Sequence, residues 1–229
     1  MPAVIYIHGF NSSPASFKAK VLREALCARN SDCEFIAPAL PPSPRAAGHI
    51  LASLAREQPS ALLVGSSLGG FYATWMAENF GMRAVLVNPA VRPYELLADY
   101  VGPQKNLYTG EQYEFTREHL AEMRALEPLI ITPERYFLMV TTGDEVLDYR
   151  AALKKYHGAQ ELVVDGGDHG FSSFGAHLDD DSLAAVANHM QSVVQARTDA
   201  DYQAQDMRSA RDARGSPPKT RERRALALK

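Results

Sequence analysis

The segment that decides the fold spans residues 61 to 75 and reads ALLVGSSLGGFYATW. It opens with four apolar residues, Ala61 to Val64, in an uninterrupted run that is typical of a strand buried on both faces of a parallel sheet. The glycine-rich run Gly65 to Gly70 follows, and a helical stretch from Phe71 to Phe80 comes directly after it. Strand, sharp turn and helix in this order predict one unit of an α/β fold.

Similar short apolar runs recur along the chain at intervals too long for hairpins, and helical patterns lie between most of them. The predicted strands cover residues 4–7, 35–36, 61–64, 84–87, 136–140 and 162–164. Apolar stripes at helical spacing lie within residues 17–26, 47–54 and 183–194. This alternation predicts a three-layer α/β fold with right-handed crossovers and a mainly parallel sheet of six to seven strands.

Two segments interrupt the alternation. Residues 91–132 separate two predicted strands and are too long for a simple crossover; they hold an aromatic-rich stretch and one helical pattern, which predicts a lid-like insertion. Residues 197–229 are rich in charge and poor in large apolar side chains, which predicts a disordered tail. We therefore expect one α/β domain over residues 1–196 that contains the insertion.

Charge and composition exclude several classes of function. The net charge is −3, and the tail carries nine Lys/Arg against five Asp/Glu, so the remaining residues are more acidic still. An acidic body gives no reason to expect a nucleic-acid partner. We expect no membrane span, because no apolar run is long enough. No basic region or cleavage site precedes the first apolar run, Val4 to Ile7, and Cys27 and Cys33 fit reduced thiols, so we expect a cytoplasmic protein.

Ser67 is the candidate nucleophile. It is the central serine of a G-x-S-x-G pattern, in which Gly65 and Gly69 let the backbone close into a sharp turn between strand and helix. Such a turn lifts the hydroxyl above the sheet at the positive end of the next helix. Ser66 is a rival, but Val64 and Leu68 flank it instead of glycines. The context favours Ser67.

A serine hydroxyl needs a base, and in this strand–turn–helix arrangement the base is a histidine near the end of the chain. His169 follows the last predicted strand, at the sheet edge where functional groups gather in α/β folds, and His177 is the fallback. The acid should follow the preceding strand, which makes Asp144 the candidate. Four other carboxylates remain as alternatives: Asp148, which is expected to cap a helix, Glu145, which is expected to point elsewhere, and Asp165 and Asp168, which flank the histidine.

An oxyanion hole requires two backbone N–H groups that face the developing negative charge. One is expected from Leu68, directly after the nucleophile, and the other from Phe10, in the loop after the first strand. Gly9 permits a tight backbone at that loop. We interpret His8 as a structural side chain beneath this hole, and not as a base.

With these motifs in place, the sequence resembles the α/β-hydrolase superfamily and, more narrowly, the YqiA-type small bacterial esterases. The similar stretches are YIHGFNSSP from residue 6, GSSLGG from residue 65, NLYTGE from residue 106 and TGDEVLDY from residue 142. The resemblance covers about residues 2–195 and implies an esterase that acts on acyl esters, with acyl-CoA thioesters as a further substrate class and with no metal or other cofactor. The charged tail departs from the family. The short N-terminus leaves no room for the antiparallel strands of larger members, so a reduced sheet is expected.

Three functions fit these residues. The first is hydrolysis of a small-molecule acyl ester or thioester through Ser67, His169 and Asp144. The second is another reaction on the same three residues, such as acyl transfer, perhydrolysis or carbon–carbon cleavage, because the fold hosts several chemistries. The third is a non-catalytic binding protein. The acidic run Asp179 to Asp181 is better explained as solvated charge that caps a helix than as a metal site.

Overall fold

The computed structural model describes residues 3–29 and 34–178, and these residues form alternating strands and helices. The strands of the main sheet and the helices between them are β1 (Val4–Ile7), α1 (Phe17–Arg29), β2 (Phe35–Ile36), α2 (Pro44–Glu57), β3 (Leu62–Ser66), α3 (Leu68–Phe80), β4 (Arg83–Val87), β7 (Tyr136–Thr141), α6 (Tyr149–Lys155) and β8 (Gln160–Val164). The insertion between β4 and β7 contains α4 (Pro93–Leu96), β5 (Gly102–Lys105), β6 (Gln112–Phe115) and α5 (Arg117–Ala125). Single 3₁₀ turns lie at Ala98–Tyr100, Pro133–Arg135 and Phe174–His177.

The main sheet has six strands in the order β2-β1-β3-β4-β7-β8, and all five pairings are parallel. The register aligns Val4 with Leu62 in β1 and β3, and Ser66 with Val87 in β3 and β4. Because the strands are parallel, their carboxyl ends meet at one edge, where the chain enters the loops that carry the candidate site. The structure confirms the predicted α/β class and the reduced parallel sheet.

Apolar layers cover both faces of the sheet. Alternate residues of β1 belong to different clusters: Ile5 and Ile7 pack with the side of the sheet that α2 and α3 cover, whereas Val4 and Tyr6 pack with the side that α1 covers. Strands buried on both faces need continuous apolar runs, which is the pattern seen in the sequence. The fold therefore has the three layers that the sequence predicts.

Helix α2 shows how the local sequence sets the ends and the packing of an element. The hydroxyl of Ser43 caps it by accepting a hydrogen bond from Ala46 N–H at 3.3 Å, and Pro44 occupies its first turn. Its apolar stripe, which includes Ala47, Leu51 and Ala55, is buried against the sheet layer.

The insertion contains a hairpin that the sequence analysis did not predict. Strands β5 and β6 pair antiparallel, with Gly102 opposite Phe115. Their sequences, GPQK and QYEF, lack a run of β-branched residues, so no strand signal stands out. The predicted helical pattern in this segment corresponds to α5, which Thr116 caps together with His119 in a reciprocal capping box.

The strand bounds differ slightly from the predicted ones. The run predicted at residues 61–64 forms Leu62–Ser66, and the last strand begins at Gln160. The predicted helix within residues 183–194 and the predicted tail 197–229 lie outside the described residues. Within residues 3–29 and 34–178, every helix is too short or too polar to cross a lipid bilayer.

Two glycine-to-alanine substitutions test the close packing of the fold. Gly69→Ala should destabilise the protein by about 3 kcal/mol or more, because the added methyl would lie 1.9 Å from the carbonyl oxygen of Ile7. Gly48→Ala, in α2, is the control: its methyl would meet only Leu126 and Trp75 side-chain atoms, at 3.7 Å or more, and alanine should stabilise the helix by about 0.5–1 kcal/mol. Urea unfolding measures both changes. Equal stabilities for wild type and Gly69→Ala would contradict the close approach.

Candidate active site

Ser67 lies at a sharp turn between β3 and α3. Its backbone has φ 55° and ψ −120°, in a region that non-glycine residues rarely adopt. The turn leaves no room for side chains at the two motif glycines: a Cβ on Gly65 would lie 2.4 Å from Gly69 O, and one on Gly69 would meet the Ile7 carbonyl. Ser66, the rival nucleophile, is instead the last residue of β3 and is buried. The geometry is therefore that of a nucleophile elbow.

Ser67, His169 and Asp144 lie in hydrogen-bond contact with one another. His169 Nε2 is 3.1 Å from Ser67 Oγ, and His169 Nδ1 is 2.9 Å from Asp144 Oδ2 and 3.1 Å from Oδ1. The three side chains come from loops after β3, β8 and β7, which all end at the same sheet edge. The imidazole thus lies between a hydroxyl and a carboxylate, the arrangement that a general base requires.

The Asp144 carboxylate is held as an anion. Burial raises its pKa, but hydrogen bonds from His169 and from the backbone N–H groups of Leu147 and Val146 outweigh burial, so the pKa lies below its ordinary value. Only 1% of the side chain is exposed. The same contacts fix its orientation toward the imidazole.

The alternative residues have other partners. Asp148 caps α6 by accepting a hydrogen bond from Arg150 N–H, Asp165 accepts one from Thr142 Oγ1, and Asp168 binds the hydroxyl and the backbone N–H of Ser172. His177 ends a 3₁₀ turn, where its ring packs against Phe171. None of these contacts involves Ser67 or the His169 ring.

Glu145 differs from the expectation that it points elsewhere. Its Oε2 accepts a hydrogen bond from the backbone N–H of His169 at 2.9 Å. It therefore contacts the residue that carries the imidazole, although not the ring itself. Its chain is one methylene longer than that of Asp144, which lets an exposed carboxylate reach the neighbouring loop. No local sequence signal distinguishes this contact from that of a solvated glutamate.

The two expected oxyanion donors lie beside Ser67. Gly9 approaches so closely that an added Cβ would be 3.2 Å from Ser67 Cβ, which places the Phe10 loop next to the nucleophile. Among the described residues, no backbone hydrogen bond uses the Phe10 N–H. Leu68 is the first residue of α3, and N–H groups in a first helical turn have no partner within the helix. Phe10 and Leu68 both line a cleft that reaches Ser67.

His8 contacts the backbone and not the nucleophile. Its Nε2 lies 3.4 Å from the Leu40 nitrogen, and its Nδ1 lies 3.0 Å from the Gly9 carbonyl oxygen. Burial lowers the pKa of His8, and its hydrogen bond to Gly9 offsets this only in part. A neutral His8 ring satisfies both contacts: its Nε2 accepts from Leu40 N–H and its Nδ1–H donates to Gly9 O. His8 therefore supports the loop that carries Phe10.

Two clefts extend from Ser67 and differ in the side chains that line them. The first has a volume of about 410 Å³ and an apolar lining that includes Pro93, Leu96, Leu97, Tyr100, Val146 and Leu147. The second has a volume of about 500 Å³; its lining is also mainly apolar but includes polar side chains from Ser12, Ser16, Lys18, Tyr108 and Ser172. Both reach His169, and Leu107 at the turn of the hairpin borders both.

The hairpin of the insertion is bonded to the loop after β1. Asn11, which has φ 52°, accepts hydrogen bonds at its carbonyl from Leu107 N–H and at its side chain from the Tyr113 hydroxyl. Asn106 donates its side-chain N–H to Ser12 O at 2.8 Å. These bonds place Leu107 over the site. The sequence analysis missed them, because they join residues about 95 positions apart.

Lys18 and Asn88 are further polar residues at the site that the sequence analysis missed. Lys18 donates to Gly170 O at 2.6 Å, next to His169. Burial lowers the pKa of Lys18, and the charges of Asp168 and Asp144 offset this in part. Asn88 is buried directly after β4. An asparagine at the carboxyl end of a predicted strand was the one available signal.

Comparisons with known proteins agree with this fold. The model of a family described as "Uncharacterised protein family (UPF0227)" matches residues 3–185. Two UPF0227 proteins, from Shewanella sp. (strain ANA-3) and Serratia proteamaculans (strain 568), are each 25% identical to the chain; each alignment covers 76% of this chain and 94% of the relative.

The solved structures that resemble the chain include the α/β-hydrolase domain-containing protein 10 from mouse, with TM-score 0.56 and 15% identity over 85% of this chain and 90% of that one. Est1E from Butyrivibrio proteoclasticus with bound ferulic acid has TM-score 0.59 and 14% identity; the alignment covers 82% of this chain and 90% of Est1E. The esterase domain of a Rhodothermus marinus protein has TM-score 0.54 and 16% identity; the alignment covers 80% of this chain and 86% of that domain. At these identities the likeness shows the fold, which is that of the α/β hydrolases.

The strained backbone of Ser67 leads to a stability prediction. Ser67→Gly should be more stable than Ser67→Ala by about 1 kcal/mol, because glycine adopts φ 55° without steric cost whereas alanine keeps the strain. Both variants lack the hydroxyl, so the comparison isolates the backbone. Urea or thermal unfolding measures the difference. An alanine variant that is as stable as the glycine variant would show that the turn stores no strain.

Proposed function

This chain belongs to the UPF0227 family, and from the geometry of its site we propose that it is a serine hydrolase that cleaves a carboxylic ester or thioester. The observation that carries the proposal is the contact of the His169 ring with both Ser67 Oγ, at 3.1 Å, and Asp144, at 2.9 Å. The similarity to solved structures described as esterases supports it further.

In the proposed reaction, Ser67 Oγ attacks the carbonyl carbon while His169 Nε2 takes the hydroxyl proton. The backbone N–H groups of Phe10 and Leu68 stabilise the negative charge on the carbonyl oxygen. The imidazolium then gives its proton to the leaving alcohol or thiol, and an acyl-enzyme remains on Ser67. Water repeats the cycle and releases the acid. Asp144 holds the imidazole in the tautomer that leaves Nε2 free to accept a proton.

The two clefts suggest how an ester divides between them. An apolar acyl chain suits the cleft lined by Leu96, Leu97 and Val146, because burial of apolar surface there is favourable. The alcohol or thiol part then lies in the cleft lined by Ser12, Ser16 and Lys18, whose polar groups can replace water. Small acyl esters and acyl-CoA thioesters are the two substrate classes that this proposal covers.

A fluorophosphonate probe tests the proposal. The wild-type protein should form an adduct on Ser67, which mass spectrometry of the peptide would locate, and should hydrolyse some members of a graded series of p-nitrophenyl esters and acyl-CoAs. Ser67→Ala should lose the adduct and nearly all hydrolysis, because the nucleophile is gone. Ser66→Ala, which changes the neighbouring serine, is the matched control and should still be labelled. A wild-type protein that forms no adduct on Ser67 would favour a binding protein over an enzyme.

The choice of acid is tested by two aspartates in one loop. Asp144→Asn should lower kcat by about 10⁴-fold, as in serine proteases, because an amide cannot hold the reactive tautomer or offset the imidazolium charge. Asp148→Asn should change kcat little, because Asp148 caps α6 and asparagine is an equally good cap. Steady-state hydrolysis of a p-nitrophenyl ester measures both. Similar losses in the two variants would refute Asp144 as the acid.

A further inference from the structure

Asn88 is a buried polar residue that the proposed reaction does not use. It follows β4 directly, only 3% of it is exposed, and its backbone has φ 41°, a left-handed conformation that asparagine tolerates better than most residues. Its backbone N–H donates to Met139 O in β7. A polar side chain buried in this way needs hydrogen-bond partners, or it destabilises the fold.

The side chain of Asn88 bonds to β7 and to the loop that carries the histidine. Its Oδ1 accepts a hydrogen bond from Thr141 N–H at 2.9 Å. Its Nδ2 lies 3.1 Å from Thr141 Oγ1, 3.2 Å from Asp168 O and 3.3 Å from His169 O. Thr141 Oγ1 also donates to Asp168 O at 3.1 Å. The two residues together bind the backbone carbonyl groups of Asp168 and His169, which flank the Cα atom that carries the imidazole.

The same stretch of chain also holds the nucleophile. Val87, immediately before Asn88, accepts a hydrogen bond from Ser67 N–H at 3.1 Å, and Ala90 N–H donates to Ser67 O at 3.0 Å. Residues 87–90 therefore bind the backbone of Ser67 directly and that of His169 through the Asn88 side chain. These bonds link the two residues whose side chains must stay 3.1 Å apart.

The loop at His169 is also held on both sides of the histidine: Gly143 N–H donates to Gly166 O, and the Phe171 side chain is fully buried. The loop contains Gly166 and Gly167 at φ 70° and 76°, and no strand or helix includes residues 165–173. The contact that Glu145 makes with the His169 N–H is at the exposed surface, where water competes for it. Asn88 and Thr141 are themselves buried, so water competes less for the bonds that they make with the carbonyl groups of Asp168 and His169.

We propose that Asn88, together with Thr141, is a positioning residue for His169: it fixes the imidazole at the distance from Ser67 that proton transfer requires. This inference rests on the proposed hydrolase function. Asn88 does not touch the reacting atoms, and its effect on the reaction passes through the backbone of the histidine loop.

Four variants separate positioning from general stability. Asn88→Gly removes the side-chain amide, and glycine adopts the φ of 41° at this position without strain. Thr141→Val removes the hydroxyl at nearly constant shape, and Thr141→Ser restores it. Tyr136→Phe is the control: it deletes a buried hydroxyl bond, to Glu78, at the other end of the same strand β7. Unfolding midpoints and near-ultraviolet circular dichroism establish that each variant is folded at the assay temperature.

The readout compares two esters of one acyl group, a p-nitrophenyl ester and an ethyl ester. Ethanol is the poorer leaving group and depends on a proton from the imidazole, whereas p-nitrophenolate leaves with little help. A displaced imidazole should lower kcat/KM about 100-fold for the ethyl ester and about 10-fold for the p-nitrophenyl ester, the scale of loss that a misplacement of about 1 Å causes. Asn88→Gly and Thr141→Val should show this unequal loss. Thr141→Ser and Tyr136→Phe should resemble the wild type for both esters.

Each outcome decides the inference. Unequal losses in Asn88→Gly and Thr141→Val, with rescue by Thr141→Ser, support the positioning role. Equal losses for the two esters, or losses no larger than those of Tyr136→Phe, overturn it and leave a structural role. If the wild-type protein hydrolyses neither ester and the fluorophosphonate probe does not label Ser67, the proposed function is overturned, and the inference with it. If the wild type is labelled and active but the Asn88 and Thr141 variants are unaffected, only the inference is overturned.

Discussion

The close approach of the Gly69 backbone to the carbonyl group of Ile7 is the constraint on which the rest of the site depends. Helix α3 can begin directly above β1 only because no side chain separates the two backbones. Ser67, two residues before Gly69, has an unusual backbone conformation, and three backbone bonds hold the turn there: Ser67 N–H to Val87 O, and the N–H groups of Gly70 and Ala90 to Ser67 O. The strain is thus offset locally, by the ends of neighbouring elements.

Much of the fold and the central contacts of the site could be predicted from the sequence because they follow from short-range patterns. Continuous apolar runs mark strands buried on both faces, and parallel strands bring their carboxyl ends to one edge. Ser67, Asp144 and His169 each follow such a run, so chain order alone placed them near one another. The hairpin β5–β6 was missed because polar side chains dominate both of its strands. The residue Asn88 and the contact of Glu145 with the His169 backbone were missed because the partners are backbone groups of a distant loop, which no local pattern records.

Electrostatics explains why Asp144, and not a neighbouring carboxylate, pairs with the imidazole. A buried carboxylate is costly unless hydrogen bonds compensate it, and the backbone N–H groups of Val146 and Leu147 supply two such bonds. Asp148 and Glu145 lie at the surface, where water solvates them and where an interaction with His169 would be weaker. The loop after β7 thus provides one buried, oriented carboxylate, that of Asp144. The carboxylate of Asp148 caps α6, and that of Glu145 contacts the backbone N–H of His169.

The hairpin of the insertion and the loop after β1 are joined by several contacts. Asn11 bonds to Leu107 N–H and to the Tyr113 hydroxyl, and it is covalently next to Phe10, whose N–H is the proposed oxyanion donor. The ring of Phe10 also packs edge-on against Phe115 in β6. A shift of the hairpin would therefore move the donor as well as the wall between the two clefts. Phe10, Asn11 and Ser12 together therefore hold the loop after β1 against the hairpin that borders both clefts.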